Sequence, residues 1–152
     1  MASCRYPGVT SALGCVMADM RHDGVQTLNA ALEALDIDDL LARIDGLAAA
    51  CQERLDSAGV AFEGIRESIE LDMLYVGQSH TVRVEIARDA LTRPGIAAAF
   101  ELAYRAAFGR SLSGIAVRIL NLRYARIGQR PKFDLALLAP TCRDMPLSLI
   151  HI

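Results

Sequence analysis

The spacing of apolar residues changes along this chain, and that change most constrains the fold. Across residues 36–59 apolar side chains recur at helical intervals, at Ile37, Leu40, Leu41, Ile44, Leu47, Ala48, Cys51 and Leu55. The next segments, ESIELDMLYVG and SHTVRVEIA, alternate apolar and polar residues, which is typical of strands with one buried face. The chain is therefore predicted to combine helices with a sheet.

Start and stop signals delimit the helices and the turn between these strands. Asp36 is the predicted N-cap of the first helix, and Gly59 is its predicted left-handed C-terminal residue. A second helix is predicted from Pro94 in its first turn to Gly109. The short GQS connection, which contains Gly77, favours an antiparallel hairpin.

Two further strands complete the predicted order. RHDGVQTLN and GIAVRILNLRYARIG both have strand character, and a change of face near Asn121 indicates a bulge or a twist. From residue 22 the order is strand, helix, strand, strand, helix, strand, so we predict an α+β fold. It is a ferredoxin-like βαββαβ antiparallel sheet with two helices on one face. A short helix over residues 10–21 is predicted to precede it. Residues 22–132 form the predicted domain, residues 1–21 belong to an upstream domain, and residues 133–152 form a tail.

Composition excludes several classes of protein. Of 152 residues, 53% are hydrophobic and 22% charged, which is typical of a globular protein. A net charge of -2 argues against a nucleic-acid partner, because such proteins usually carry a basic excess. No apolar run could span a bilayer, and the N-terminus does not resemble a signal peptide, so a cytoplasmic protein with no membrane partner is expected.

Motifs for metals, nucleotides and nucleophilic catalysis are not found in the sequence. Four cysteines show no CxxC spacing, and no histidine or carboxylate pattern predicts a metal site. The phosphate-binding patterns GxxxxGK[ST] and GxGxxG do not occur, nor does the hydrolase pattern GxSxG. Basic residues surround Tyr124, which raises RNA recognition as an alternative, but SHTVRVEIA supplies no aromatic residue for base stacking. No metal or cofactor is therefore predicted to bind this chain.

Two short groups of residues are the candidates for a functional site. Arg21, His22 and Asp23 place a base beside a carboxylate, but adjacent strand residues point to opposite faces, so His22 and Asp23 do not form a simple pair. The alternative is that these three residues form only a polar junction between helix and strand and have no functional role. Tyr75, Gly77 and Gln78 lie at the predicted hairpin turn, where they are either structural or the edge of a substrate site or interface.

Several segments together resemble the hydantoinase/oxoprolinase family. PGVTSALGCVMADMRHD is similar to the segment that leads from that family's nucleotide-binding core into its C-terminal domain. LDMLYVGQSHTVRVEI resembles its aromatic-x-Gly-Gln hairpin, and AFELAYRAAFGR with AVRILNLRYARIG resembles its last helix and strand. The resemblance covers residues 6–132 and is greatest to the A subunit of N-methylhydantoinases, with acetone carboxylase subunits as relatives.

The resemblance implies an ATP-dependent enzyme that acts on a cyclic amide such as N-methylhydantoin or 5-oxoproline. Its upstream ATPase-like domain would bind ATP and a divalent metal, and a B subunit would be a partner. By this reading Arg21, His22, Asp23, Tyr75, Gly77 and Gln78 are candidates for the edge of an active site or interface. The chain alone is then expected to be inactive and structural. The alternative is a stand-alone ferredoxin-like module that binds a small ligand or a partner chain.

The terminal sequence LSLIHI is interpreted separately from the domain. It resembles the in-frame translation of a sequencing adapter, CTG TCT CTT ATA CAC ATC, rather than the corresponding part of the family. The sequence is therefore expected to be an internal fragment of a longer protein, with residues 147–152 not native.

Overall fold

A computed structural model describes residues 18–112 and 114–131 of the chain. The compact unit formed by these residues runs from Asp19 to Arg130. Its elements are the strands β1 (Met20–Ala31), β2 (Gly64–Tyr75), β3 (Val82–Glu85) and β4 (Val117–Gln129), and the helices α1 (Ile37–Ser57) and α2 (Arg93–Phe108). Short 3₁₀ turns lie at Leu32–Ala34 and Arg88–Ala90.

The element order confirms the predicted α+β fold. The four strands form one antiparallel sheet in the order β1-β4-β2-β3. β1 and β2 therefore run in the same direction with β4 between them, which is the split βαβ arrangement of ferredoxin-like folds. β3 and β4 likewise run in the same direction, with β2 between them. This topology leaves β1 and β3 at the two edges of the sheet.

The predicted N-terminal helix and the C-terminal tail lie almost entirely outside the described residues. Met20 and Arg21, which were placed at the end of that helix, instead begin β1, where they pair with Gly128 and Ile127. The boundaries predicted at residues 21 and 133 stay predictions.

Local capping explains where the two helices begin and end. The Asp36 carboxylate accepts hydrogen bonds from the backbone amides of Asp38 (2.9 Å) and Asp39 (3.3 Å), which confirms the predicted N-cap. Thr92 caps α2 by accepting from the amide of Gly95, and Pro94 lies in the first turn as predicted. Gly109 ends α2 with a φ of 73°, the left-handed conformation that glycine adopts without a steric penalty.

The core lies between the two helices and one face of the sheet. Its fully buried side chains come from both helices and from the two central strands: Leu40, Ile44, Ile96 and Phe100 with Leu71, Met73, Ile119 and Leu122. Burying each side chain of this size contributes about 1.5–3 kcal/mol. This packing fixes which face of the sheet the helices cover, and most of the polar strand residues lie on the other face.

A bulge in β4 confirms the change of face predicted near Asn121. Asn121 lies opposite Asp72 of β2, whereas Ile119 lies opposite the next residue, Met73, so Leu120 is an extra residue in β4. The bulge lets Ile119 and Leu122 both enter the core while Asn121 points to the opposite face.

The predicted β2–β3 hairpin is also confirmed, but the pairing is short. β3 pairs only with the segment from Glu70 to Met73. Gly77 adopts a φ of 93° in the turn, so the glycine is required there by backbone conformation. Among the described residues, no helix is long and apolar enough to cross a membrane.

Candidate functional site

The face of the sheet opposite the helices carries the main cluster of charged side chains. We refer to it as the helix-free face, because both helices of the described residues pack on the other face. The strand registers place Ala125 between Asp23 and Ser68, Arg123 beside Glu70, and Asn121 beside Asp72. The face is therefore built from residues of all four strands, with Arg83 supplied by β3.

Asp72 is the buried centre of this face. Its side chain is only 8% exposed, and one carboxylate oxygen, Oδ2, accepts hydrogen bonds from Arg123 Nε (2.8 Å) and Asn121 Nδ2 (3.1 Å). The other oxygen lies 3.6 Å from Arg83 Nε. Asn121 Oδ1 in turn accepts a hydrogen bond from the hydroxyl of Thr27. The network thus joins the four strands through one carboxylate.

The protonation of Asp72 follows from these contacts. Burial by itself would raise the pKa of Asp72, since it disfavours the charged form. The hydrogen bonds from Asn121 and Arg123 and the charges of Arg123 and Arg83 outweigh burial and hold the pKa below its ordinary value. Asp72 is therefore an anion at neutral pH with its acceptor positions occupied, which suits a structural role.

A shallow cavity of about 200 Å³ lies beside this network. Small residues, Ala125 and Ser68, line it between strands, and charged residues of both signs surround them: Arg21, Asp23, Glu70, Arg83 and Arg123. Glu70 contacts Arg83 at 3.5 Å, so the charges around the cavity are largely paired with each other. Such a surface favours a partner that presents its own polar groups.

The structure separates His22 from the other two residues of its group. Arg21 and Asp23 lie on the helix-free face and form an exposed ion pair, with 2.8 Å between Arg21 Nη2 and Asp23 Oδ1. Hydrogen bonding to Asp23 raises the pKa of Arg21. His22 points to the opposite face, where its Nε2 is buried and has no hydrogen-bond partner among the described residues. Arg21 and Asp23 therefore act as one pair, and His22 belongs to the helix–sheet interface.

The second group, at the β2–β3 turn, is held to α2. The Gln78 side-chain amide donates a hydrogen bond to the Tyr104 hydroxyl at 2.9 Å. The Tyr75 ring is buried and packs edge-on against Phe100 and Tyr104, with ring centroids 4.9 and 4.8 Å apart. Together these contacts fix the turn on the helix, which gives Tyr75, Gly77 and Gln78 a structural reason to be present.

The two predicted groups lie at opposite ends of the sheet. Arg21 pairs with Ile127 and Tyr75 pairs with Val117, so they are ten residues apart along β4. At about 3.3 Å per strand residue this is roughly 33 Å. The two groups therefore do not form one site, although each can still lie at a separate interface.

A second polar network crosses the helix-covered side. Arg88 bridges Glu67 (3.2 Å) and Asp45 of α1 (2.8 Å), and Glu67 also accepts a hydrogen bond from the Tyr124 hydroxyl. Burial raises the pKa of Tyr124, and only 1% of the residue is exposed. The Tyr124 ring is therefore unable to stack on an RNA base.

Metal ligation is not supported within the part of the chain that the structure describes. No group of three or more histidine, cysteine, aspartate or glutamate side chains is placed to hold an ion there.

Sequence reasoning missed the Asp72 network as a site. The alternation in β2 placed Asp72 opposite the core, and the change of face marked Asn121, but neither pattern indicated that the two side chains meet. Asp72 and Asn121 are 49 residues apart in sequence, and their contact depends on the order of strands in the sheet.

The fold is that of an α+β domain, and it is similar to parts of two larger ATP-dependent enzymes. The ATP-dependent caprolactamase from Pseudomonas jessenii matches 81% of this chain with a TM-score of 0.67 and 26% identity. The nucleotide-free structure of acetone carboxylase, described for ATP-dependent acetone carboxylation, matches 80% with a TM-score of 0.61 and 21% identity. No protein-family model and no curated protein matches the chain.

The matched region is a small part of both enzymes. It covers 19% of the chain in each structure. The similarity agrees with the resemblance to hydantoinase/oxoprolinase-type enzymes at the level of fold, and it leaves subunit type and substrate open.

Proposed function

We propose that this chain is the C-terminal α+β domain of the A subunit of an ATP-dependent hydantoinase/oxoprolinase-type enzyme. The likeness to the caprolactamase structure carries the proposal, because it extends over 81% of the chain at 26% identity. In this proposal the complete enzyme hydrolyses a cyclic amide. The name caprolactamase indicates a lactam substrate, which is a cyclic amide, and the resemblance to hydantoinases implies the same class of bond.

The domain supplies packing surface in this proposal, and ATP and a divalent metal bind in the upstream ATPase-like domain. Two acids of the described polar networks, the buried Asp72 and the partly exposed Glu67, support this division. Asp72 accepts hydrogen bonds from Asn121 and Arg123, and both carboxylate oxygens of Glu67 are occupied, by Arg88 and Tyr124. Acids already satisfied in this way are poor candidates for ligating a metal.

The helix-free face is the surface that we assign to contact with the upstream domain or the B subunit. Its charged residues come from all four strands. Those that contact Asp72, Arg83 of β3 and Arg123 of β4, are held in place before any partner arrives. A preorganised polar surface loses less side-chain entropy on association than a mobile one.

The reading frame and activity of the complete gene test this function. We expect the DNA upstream of Met1 to continue into an open frame that encodes a glycine-rich nucleotide-binding core. The protein made from that frame should hydrolyse ATP when N-methylhydantoin, 5-oxoproline or caprolactam is added. The present chain should give no ATP hydrolysis above the blank.

Two results would contradict the proposal. Turnover by the present chain alone would place the catalytic groups within it. A stop codon and ribosome-binding site directly upstream of Met1 would favour the stand-alone module that binds a small ligand or partner chain.

An active-site edge at Arg21 and Asp23 has its own test in the complete enzyme. Arg21→Gln should change kcat or KM without changing Tm, because the ion pair is exposed. The matched control is Arg43→Gln, which removes a similar exposed pair with Asp39 on α1 and should leave both constants unchanged. Equal effects of the two variants would remove Arg21 from the site.

A further inference from the structure

β3 covers only part of the outer edge of β2. The last bond between them runs from the Ile86 amide to the Ile69 carbonyl at 2.9 Å, after which the chain turns away into the 3₁₀ turn at Arg88–Ala90. Among the described residues, no strand pairs with β2 on this side between Gly64 and Ser68. We refer to this segment, residues 64–68, as the open edge of β2.

The open edge presents main-chain hydrogen-bonding groups to a groove. In an antiparallel strand the N–H and C=O groups of alternate residues point to the same side, so those of Ile65 and Glu67 share the side used by Ile69. A groove of about 490 Å³ lies beside the last two residues of the open edge, and its lining includes Glu67, Ser68, Glu85, Ala87 and Arg88. An extended peptide placed in this groove would continue the line of β3 and complete the ladder.

The wall of the groove is held in place before binding. Arg88 is fixed at both ends of its guanidinium, by Asp45 at 2.8 Å and by Glu67 at 3.2 Å. Hydrogen bonding to Asp45 and Glu67 raises the pKa of Arg88, so it stays charged and paired. An incoming strand therefore meets a preformed slot and does not have to separate existing strands.

The side chains along the open edge determine which residues of an added strand would pair favourably. Ile65 is 46% exposed and lies on the helix-covered side of the sheet, two residues before Glu67, which lines the groove. Arg66 points to the helix-free face, is exposed, and makes no ion pair or hydrogen bond with any described residue. In an added antiparallel strand, an acidic residue opposite Arg66 and an aliphatic residue opposite Ile65 give favourable cross-strand pairs.

We propose that the open edge of β2 binds an extended segment of another polypeptide by strand addition, and that this segment contains an acidic residue followed directly by an aliphatic one. The order follows from the antiparallel direction, since the added strand passes Arg66 before Ile65. Main-chain bonds provide the affinity and the two side-chain pairs provide the selectivity. The proposal does not depend on the enzymatic function proposed above.

Amide exchange and NMR titration with a defined peptide test the proposal. The probe is acetyl-Thr-Thr-Glu-Val-Thr-Thr-amide, and its control replaces valine with proline, which lacks the N–H that would bond to Ile65. We expect saturable shifts at Ile65 and Glu67 and slower exchange of their amides with the probe only. The amides of Arg66 and Ser68 already face β4 and should not change.

A charge swap tests the pairing with Arg66. Arg66→Glu should weaken binding of the glutamate peptide about fivefold and strengthen binding of a lysine counterpart by a similar factor. Arg110→Glu, an exposed arginine in the loop after α2, is the matched control and should alter neither affinity. Restored binding in the swapped pair would exclude misfolding of the variant as the cause.

Three outcomes would overturn the proposal. They are the lack of any shift at Ile65 and Glu67, equal binding of the proline control, and protection of these amides that grows with protein concentration without peptide. The last result would assign the open edge to a second copy of this chain.

Discussion

Asp72 is a buried charge whose desolvation is offset by hydrogen bonds and ion pairs within the sheet. Its carboxylate lies under Arg123 and Arg83 and is satisfied by Asn121, so the favourable contacts offset the loss of water. An acid left in this position without those donors would be neutral or would destabilise the fold. The residue therefore links the stability of the sheet to the charge state of its helix-free face.

Asp72→Asn should lower the free energy of unfolding by roughly 1–3 kcal/mol at pH 7, because Arg123 loses its charged partner. The pKa of Asp72 is lower in the folded chain, so its contribution is fully present above the unfolded pKa and is lost as pH falls through the folded pKa. Urea denaturation of the wild type and Asp72→Asn from pH 7 to pH 2 measures the difference in their free energies of unfolding.

The wild-type and Asp72→Asn stabilities should converge at the acidic end of that range. Glu53→Gln, an exposed residue of α1, is the control and should follow the wild type throughout. A variant whose deficit stayed constant with pH would show that Asp72 acts through packing rather than through its charge.

The side-chain roles were less predictable from the sequence than the strands that carry them. Alternation in ESIELDMLYVG placed Asp72 away from the core, because period-two patterns directly report which face is buried. It could not report that Asn121 and Arg123 are its neighbours, since that depends on long-range strand order. Gln78 illustrates the same limit, because its partner Tyr104 lies on a different element.

At the scale of elements, helix ends were the most predictable features. Asp36, Gly59 and Gly109 were predicted because each acts through its own backbone or through backbone groups within a few residues, so local sequence contains the necessary information. The β4 bulge was also visible, because inserting Leu120 breaks the alternation of the strand. The early end of β3 at Glu85 could not be predicted, because the end of a strand depends on the tertiary contacts of the segment that follows it.

The N-cap of α1 gives a prediction at this scale. Asp36→Ala should lower the free energy of unfolding by about 1 kcal/mol, because the amides of Asp38 and Asp39 lose their acceptor. Thermal unfolding followed by circular dichroism measures the change. Glu53→Ala on the exposed surface of the same helix is the control, and it should change stability little, because Glu53 caps no backbone amide. Equal losses would argue against capping as the cause.

The described unit contains a sheet in which two of the three strand pairings, β1 with β4 and β2 with β4, join residues distant in sequence. β1 pairs with β4, so residues near positions 20 and 128 must meet before that half of the sheet forms. Such pairing carries a loop-closure cost that slows folding relative to a helical bundle of the same size. The order β1-β4-β2-β3 is also the feature that brings the charges of four strands onto one face.

The contacts within the compact unit predict that residues 19–130 fold without the rest of the chain. Its core joins both helices to the sheet, and the described ends of the unit are tied by a hydrogen bond from the Arg130 amide to Asp19 at 3.2 Å. We expect a cooperative unfolding transition and dispersed amide signals for this segment. A segment that stays unfolded would show that the boundaries of the domain lie further out.

The hydrogen bond between Asp19 and Arg130 shows that the two ends of the unit lie close together, which permits domain insertion and circular permutation. Because the polypeptide enters and leaves at nearly the same point, the unit can be inserted into a host loop with little distortion of either partner. For the same reason its ends can be joined and new termini opened at Gly59, which would give a circular permutant with the same sheet.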